Sequence, residues 1–548
     1  EIKAVDPKMQ VLTAGFATLR WGAHPDLVDY VTQHGTQDFD ILAMHVHGNF
    51  QHYRKTVDGP LAEVRSAMKP PKPLFFNETA MTVYNGDGEQ GQAETLVKKV
   101  VYARACGAMG YQWYDLRNDG FDPMNGEHNY GLITHDFYPK AVYAAFNTLA
   151  LHIRDKHYLA ALPVGAGRNA YVFDDADEQI VVTWNDEVNA SDGNMILATD
   201  AAQAYRMDLM GNTTPTPITN GRVVLPITAQ PMYLVLAKAK RTPTVQGALA
   251  VVTGLRPSAP GDSRHVTVTL VNPFNKPDTA EVTWMLPNEL HTAPVIQQVN
   301  LAANGKAATS LEMVIPANLT VKAGDTLYMR MKYVFKQTGW TGTIVAPVPM
   351  AVYVPTTPQP HDADFILESR QHVVNLFENN PATAQLTWQG TQDLSARVWL
   401  GHTAQAMTMH IVVHDDTFVP SPDTKSIFRG DSVQLQLRIP GQVGYWDAGF
   451  ARLADGTPGV LIVRPPKGMA DPTTQIKVST SAQEKTIVYD IELPYAAFGL
   501  SDAILETGIQ FNLLIYDNDG KEREGWLQIS PGSIEVPELS PFVVYAPK

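Results

Sequence analysis

Apolar and polar positions change rhythm near residue 157, and the change divides the chain in two. Before it, apolar runs alternate with stretches of helical spacing. Val11–Phe16 is the first run, and helical spacing follows from Pro25 to Gln33. Phe39–His47 is followed in the same way by Pro60–Met68, and Pro73–Glu78 by Glu94–Cys106. Ala108–Trp113 is the fourth run, and Tyr138–Leu151 closes the series with a helix. Strands that are apolar at nearly every position, joined by helices, predict a parallel sheet covered on both faces.

Past His157 the runs are short and separated by turn residues. Ala170–Phe173, Ile180–Trp184, Met195–Thr199, Ala204–Asp208, Arg222–Ile227 and Met232–Val235 read as strands. Between them lie pairs such as Asp174-Asp175, Gly211-Asn212 and Asn220-Gly221, the pattern of an antiparallel sandwich. A second sandwich, with strands such as His265–Val271 and Ala280–Met285, occupies 241–355. Pro355–Pro360 then reads as a stiff linker of polyproline type. A last all-β domain fills 361–548. The expected division is thus 1–157, 158–240, 241–355 and 361–548.

Composition narrows the partners. A length of 548 residues suits several domains, and 44% hydrophobic with 18% charged residues marks a globular chain. The net charge of -14 argues against a nucleic-acid partner, which would favour a basic face. No apolar run is long enough to span a membrane. The single cysteine, Cys106, excludes an intrachain disulfide framework. The chain opens Glu1-Ile2-Lys3, without an initiator Met, so a processed start or a fragment is expected.

Four strand–helix units make either a small open α/β domain or half of an eight-stranded barrel, and the hydrophobic pattern does not choose. Barrel active sites collect at the C-terminal ends of the strands. Those ends carry His45 and His47, Asn77 and Glu78, and Trp113 with Asp115. A carboxylate, two imidazoles and a large aromatic suit a sugar site, where the ring stacks on the aromatic and the carboxylate meets an oxocarbenium-like carbon. The His45-Val46-His47 spacing lacks a third metal ligand at a recognisable distance, so no catalytic metal is expected.

Asp40–His47, Pro73–Ala80 (Pro-Leu-Phe-Phe-Asn-Glu-Thr-Ala), Gly110–Leu116 and Asn125–Thr134 with Tyr138–Ala141 resemble, in that order, strands six, seven and eight and the loop and last helix of glycoside hydrolase clan A. These are the (β/α)8 retaining glycosidases, and the style is that of the xylosidase- and iduronidase-like members. The resemblance covers roughly the first 155 residues. It implies half of a (β/α)8 TIM barrel (strands five to eight), with Glu78 as nucleophile. Trp113 would floor the sugar subsite, and His45 and His47 would hold the nucleophile and a sugar hydroxyl. Asn77, Asp115 and Asn118 would make further polar contacts. Retaining hydrolysis also needs an acid about 5 to 5.5 Å from the nucleophile, and clan A carries it on strand four. A second polypeptide or upstream segment supplying strands one to four is therefore expected as a partner.

The sandwich at 158–240 resembles the small β domain attached to many clan A barrels, and 241–355 reads as an immunoglobulin-like spacer. The final domain resembles carbohydrate-binding module family 9. The matching stretches are Leu386–Ala396, Val412–Asp416, Gly430–Gln434, Tyr516–Gly520 and Gly525–Leu527. Its expected sugar platforms are Trp446 and Trp526, with Trp388 and Trp399 assigned to the core. Asp415, Asp416, Asp517 and Asp519 offer the oxygen ligands that calcium uses, and turn chemistry accounts for the same residues.

The expectation is a retaining glycoside hydrolase acting on a poly- or oligosaccharide, with three all-β sandwich domains after the half-barrel. No cofactor is required, a structural calcium being optional, and the location is secreted, periplasmic or on a bacterial-like cell surface. The rival is a non-catalytic carbohydrate-binding or surface-assembly protein with a degenerate barrel.

Overall fold

The computed structural model describes all residues except 1, 20–23, 86–87, 166, 187–192, 320–324, 355–361, 377–386, 521–522, 531–539 and 546–548. The chain is multidomain and mostly β, with its helices concentrated in the first part. Three strands there, β1 (Leu42–His45), β2 (Leu74–Thr79) and β3 (Ala108–Trp113), form a parallel sheet in sequential order. The run at 11–16 lies beside β1, joined by two isolated parallel bridges, Leu12 to Ile41 and Phe16 to Met44.

Sequential parallel order with right-handed crossovers places every connecting helix on the same face. The sheet is thus covered by helices on one side, not two. Leu42, Met44, Leu74 and Phe76 pack into that helical layer. Met44 is 1% exposed and Phe76 0%. Phe75, of opposite parity, lies over Gly110 on the other face, where a Cβ on that glycine would meet the Phe75 ring.

The helix Phe50–Thr56 is capped by Asn49, whose side chain accepts from the His52 amide. It kinks at Gly59-Pro60 before the helix Ala62–Ala67, because proline cannot supply the helical hydrogen bond. The helix Gly88–Ala105 buries Leu96, Val97 and Val101, and Ala141–Ile153 buries Val142, Ala145, Leu149 and Ile153 at helical spacing.

The next unit is a sandwich of a six-stranded and a three-stranded sheet. The outer face of the larger sheet shares a core with the helices: Trp184 meets Phe50 edge-on at 5.4 Å, and Tyr171 meets Tyr102 at 6.0 Å. The third unit pairs a three-stranded with a four-stranded sheet around Trp284. The last unit packs an eight-stranded sheet on a five-stranded one.

Two strands cross the expected boundaries. Thr244–Ala248 pairs with Gly193–Ala198 and so belongs to the second unit. Ala351–Val354 pairs in parallel with Phe542–Tyr545, at the edge of the last unit's larger sheet. The polyproline linker expected at 355–360 lies outside the described residues, as does Leu386.

Candidate functional site

Backbone hydrogen bonds level the strand ends of the parallel sheet. The Val46 amide donates to the Glu78 carbonyl, the Tyr114 amide to Thr79, and the His45 amide to Phe16. His45 is the register partner of Glu78, and Thr79 that of Trp113. The ladders shift at Met44/His45 and again between Phe76 and Thr79, which re-aims the side chains at this rim.

Glu78 sits between two imidazoles. His47 Nε2 is 3.0 Å from its Oε1, and His45 Nδ1 is 3.7 Å from its Oε2. All three side chains are about one-third exposed, at 27% to 35%, so the carboxylate is held in place yet reachable. His47 Nδ1 is buried without a hydrogen-bond partner among the described residues. Tyr130 and Tyr114 flank His47 at ring-centroid distances of 5.6 and 6.3 Å.

The remaining expected residues divide. Asn77 precedes Glu78 on β2, and its Oδ1 is buried without a partner among the described residues. Asp115 is half-buried; desolvation, then repulsion from Asp119, raises its carboxyl to about 6. Trp113 packs against the core shared with the helices, and its indole N–H donates to the Tyr130 carbonyl at 3.1 Å. The aromatic ring beside His47 at the end of β3 is therefore Tyr114, one residue beyond the Trp expected to floor the subsite. Asn118 is buried, and its Oδ1 accepts from the Gly131 amide at 2.9 Å and from Lys140 Nζ at 3.4 Å. Its Oδ1 braces the loop at 129–131.

Two supports of the site went unread in the sequence. Lys99 is buried under the rim, and its Nζ donates to the carbonyls of Val46 at 3.2 Å and Ala80 at 3.0 Å, tying the ends of β1 and β2 together. Burial lowers its pKa to about 7. A lysine on the apolar face of a helix otherwise lined by Leu96, Val97 and Val101 was the available signal. The other support is Gly15. A Cβ there would lie 1.8 Å from His45 Nε2, so the imidazole rests directly on the glycine. Gly15→Ala is expected to push His45 off Glu78, and a crystal structure of the variant checks this; an unmoved His45 would refute the support.

In the last unit, Trp446 is 1% exposed, and its indole N–H donates to Gln442 Oε1. Its ring packs on Phe498 inside the core and offers no face to a sugar, so it is not a platform. The strand Trp446–Arg452 is buried along nearly its whole length, between neighbours on both sides. Trp526 is half-buried against Tyr516, with the Arg523 guanidinium 5.7 Å from its ring centroid.

The four acidic residues expected to bind calcium separate into two groups. Asp415 and Asp517 join Asp431 in a buried triad, while Asp416 and Asp519 join Asp393 nearer the surface. Within each triad one carboxylate oxygen per residue lies within 4.8 Å of the others. Burial pushes Asp415 up to about 6 and Asp517 to about 8, and it raises Asp431 well above the usual carboxylate range. Asp415 Oδ2 is buried without a hydrogen-bond partner among the described residues.

No family model and no curated protein matches the chain. Among solved structures it is similar to a family 39 glycoside hydrolase from the gut symbiont Bacteroides cellulosilyticus, at 21% identity and a TM-score of 0.34. That match covers 43% of this chain and 52% of the hydrolase, so the chain spans about half of that protein's length. It is also similar to a carbohydrate-binding module of family 9 from Caldicellulosiruptor kristjanssonii in complex with cellotriose. The identity is 14% and the TM-score 0.25, over 36% of this chain and 94% of the module. A third similarity is to Parabacteroides merdae β-glucuronidase, at 12% identity and a TM-score of 0.17, over 56% of this chain and 44% of that one. The structural similarity to glycoside hydrolases and carbohydrate-binding modules is weak. Among the described residues, no helix is long and apolar enough to cross a membrane.

Proposed function

We propose that the first unit is part of a retaining glycosidase barrel of clan A type, with Glu78 as the nucleophile. The observation that carries this reading is the Glu78 carboxylate held between His47 and His45 at the C-terminal rim of a sequential parallel sheet. Such a carboxylate can attack an anomeric carbon and form a glycosyl ester, which water then cleaves with net retention. Tyr114 and Tyr130 wall the same rim.

The sheet supports the reading in a second way, since its flank beyond β3 is open. Met109 is 52% exposed there and borders a groove of about 510 Å³ with Phe146, Leu149 and Ile153. A second polypeptide or another segment carrying four further strand–helix units would cover this flank, and would bring the acid that protonates the leaving group. Loss of aryl-glycoside turnover in Glu78→Gln tests the proposal. Background rates in both wild type and variant would instead favour a carbohydrate-binding protein with a degenerate barrel.

The last unit fits a structural divalent cation, calcium being the hard ion suited to an all-oxygen set. Three buried carboxylates with oxygens within 4.8 Å of one another repel unless protonated or bridged by a cation. Added calcium is expected to raise the unfolding temperature of this unit over that in EDTA. The stabilisation should be about 2.7 kcal/mol at a hundredfold excess over Kd, and Asp517→Asn should reduce it. Calorimetry of the full chain checks this, and identical transitions in calcium and EDTA would refute the site.

A further inference from the structure

The outer face of the five-stranded sheet in the last unit carries a groove of about 480 Å³, well away from the buried carboxylates. Four adjacent strands line up their outward residues across it. Trp399 is the register partner of His410, His410 of Asp490, and Asp490 of Ser479. One step along, Gly401 faces Thr408, Thr408 faces Glu492, and Glu492 faces Lys477. The intervening Leu400, Met409 and Ile491 point inward and are buried, so the outward set follows from strand alternation.

We infer that this face is a binding site for a neutral glycan chain; the inference rests on the reading that the protein engages carbohydrate. Trp399 is half-buried and stands at one end. Its ring is tilted 53° from that of His410, with centroids 5.4 Å apart, so the imidazole meets the indole without lying flat over it. Beside it the polar groups come as opposed pairs: His410 Nδ1 to Asp490 at 2.7 Å, and Lys477 Nζ to Glu492 at 2.7 Å. Lys477 offsets Glu492 and His410 hydrogen-bonds Asp490, so the groove carries little net charge, which suits a neutral ligand. Their unused lone pairs and N–H groups, with the Thr408 and Ser479 hydroxyls, match a partner made of hydroxyls. An aromatic surface with convergent polar groups is the usual composition of a small-ligand site. Three inter-strand spacings separate Trp399 from Ser479, about 14 Å, which is room for an oligosaccharide and more than one ring needs. Assigning Trp399 to the core overlooked that its strand alternates at the surface of the sandwich.

The test is affinity electrophoresis of the full chain through gels containing mixed-linkage β-glucan, arabinoxylan or galactomannan. Wild type should be retarded by at least one of them. Trp399→Ala should weaken that retardation roughly tenfold or more, and Asp490→Asn should weaken it in part. Asp490 is exposed, so its variant reports on the groove even if Trp399→Ala fails to fold. Free migration of wild type in all three gels would overturn the inference, as would retardation of both groove variants equal to that of wild type. Turnover at Glu78 is measured separately, so failure here leaves the barrel reading to its own test.

Discussion

Glu78→Gln is expected to lower kcat on activated aryl glycosides by on the order of 10⁴-fold or more, the scale of losing a covalent nucleophile. The unfolding temperature should stay unchanged. Glutamine has the volume of glutamate, and its amide oxygen still accepts from His47, so the rim keeps its packing. What it lacks is the anionic oxygen that forms the glycosyl ester. Dinitrophenyl leaving groups need no proton, so this step is measurable without the general acid. In Glu78→Ala, azide is small enough to enter the vacated space. It should restore part of the rate and yield a glycosyl azide of inverted configuration. Near wild-type turnover in Glu78→Gln would sink the assignment, whatever the fate of the barrel.

The second large effect concerns where the last unit begins. A fragment starting at residue 361, the boundary that a Pro-rich linker suggests, omits the strand Ala351–Val354. Val354 is fully buried in the core of the last unit, and Val352 packs against it. Without them the final strand, Phe542–Tyr545, keeps only two register partners, Ile509 and Gln510, and becomes an open edge. Losing a buried valine costs roughly 1.5 to 3 kcal/mol before the strand pairing is counted. Residues 361–548 should therefore unfold on the order of 5 to 10 °C below residues 349–548. Scanning calorimetry of the two fragments decides it. Equal transitions would mean that the strand adds nothing to the last unit.

Local pattern determined much of this protein. Period-3.6 spacing placed Ala141–Ile153 close to where it folds, because burying one stripe demands that spacing wherever the helix packs. Alternating apolar runs placed β1, β2, β3 and the strands after residue 157 for the same kind of reason. The order of polar residues at strand ends was enough to bring Glu78, His45 and His47 together, since parallel strands joined by crossovers must end on one rim. Tertiary structure decided the rest. Which tryptophan is a surface and which is core depends on the sheet that covers it: Trp446 lies between two strands under a second layer, and Trp399 on an outer face. Shifts of register at the rim put Tyr114, not Trp113, beside His47, and no periodicity reports a one-residue shift. Asn118, Lys99 and Gly15 took their roles from partners between 13 and 53 residues away. Strand exchange at 244–248 and 351–354 likewise follows from long-range pairing, which local turn chemistry cannot specify.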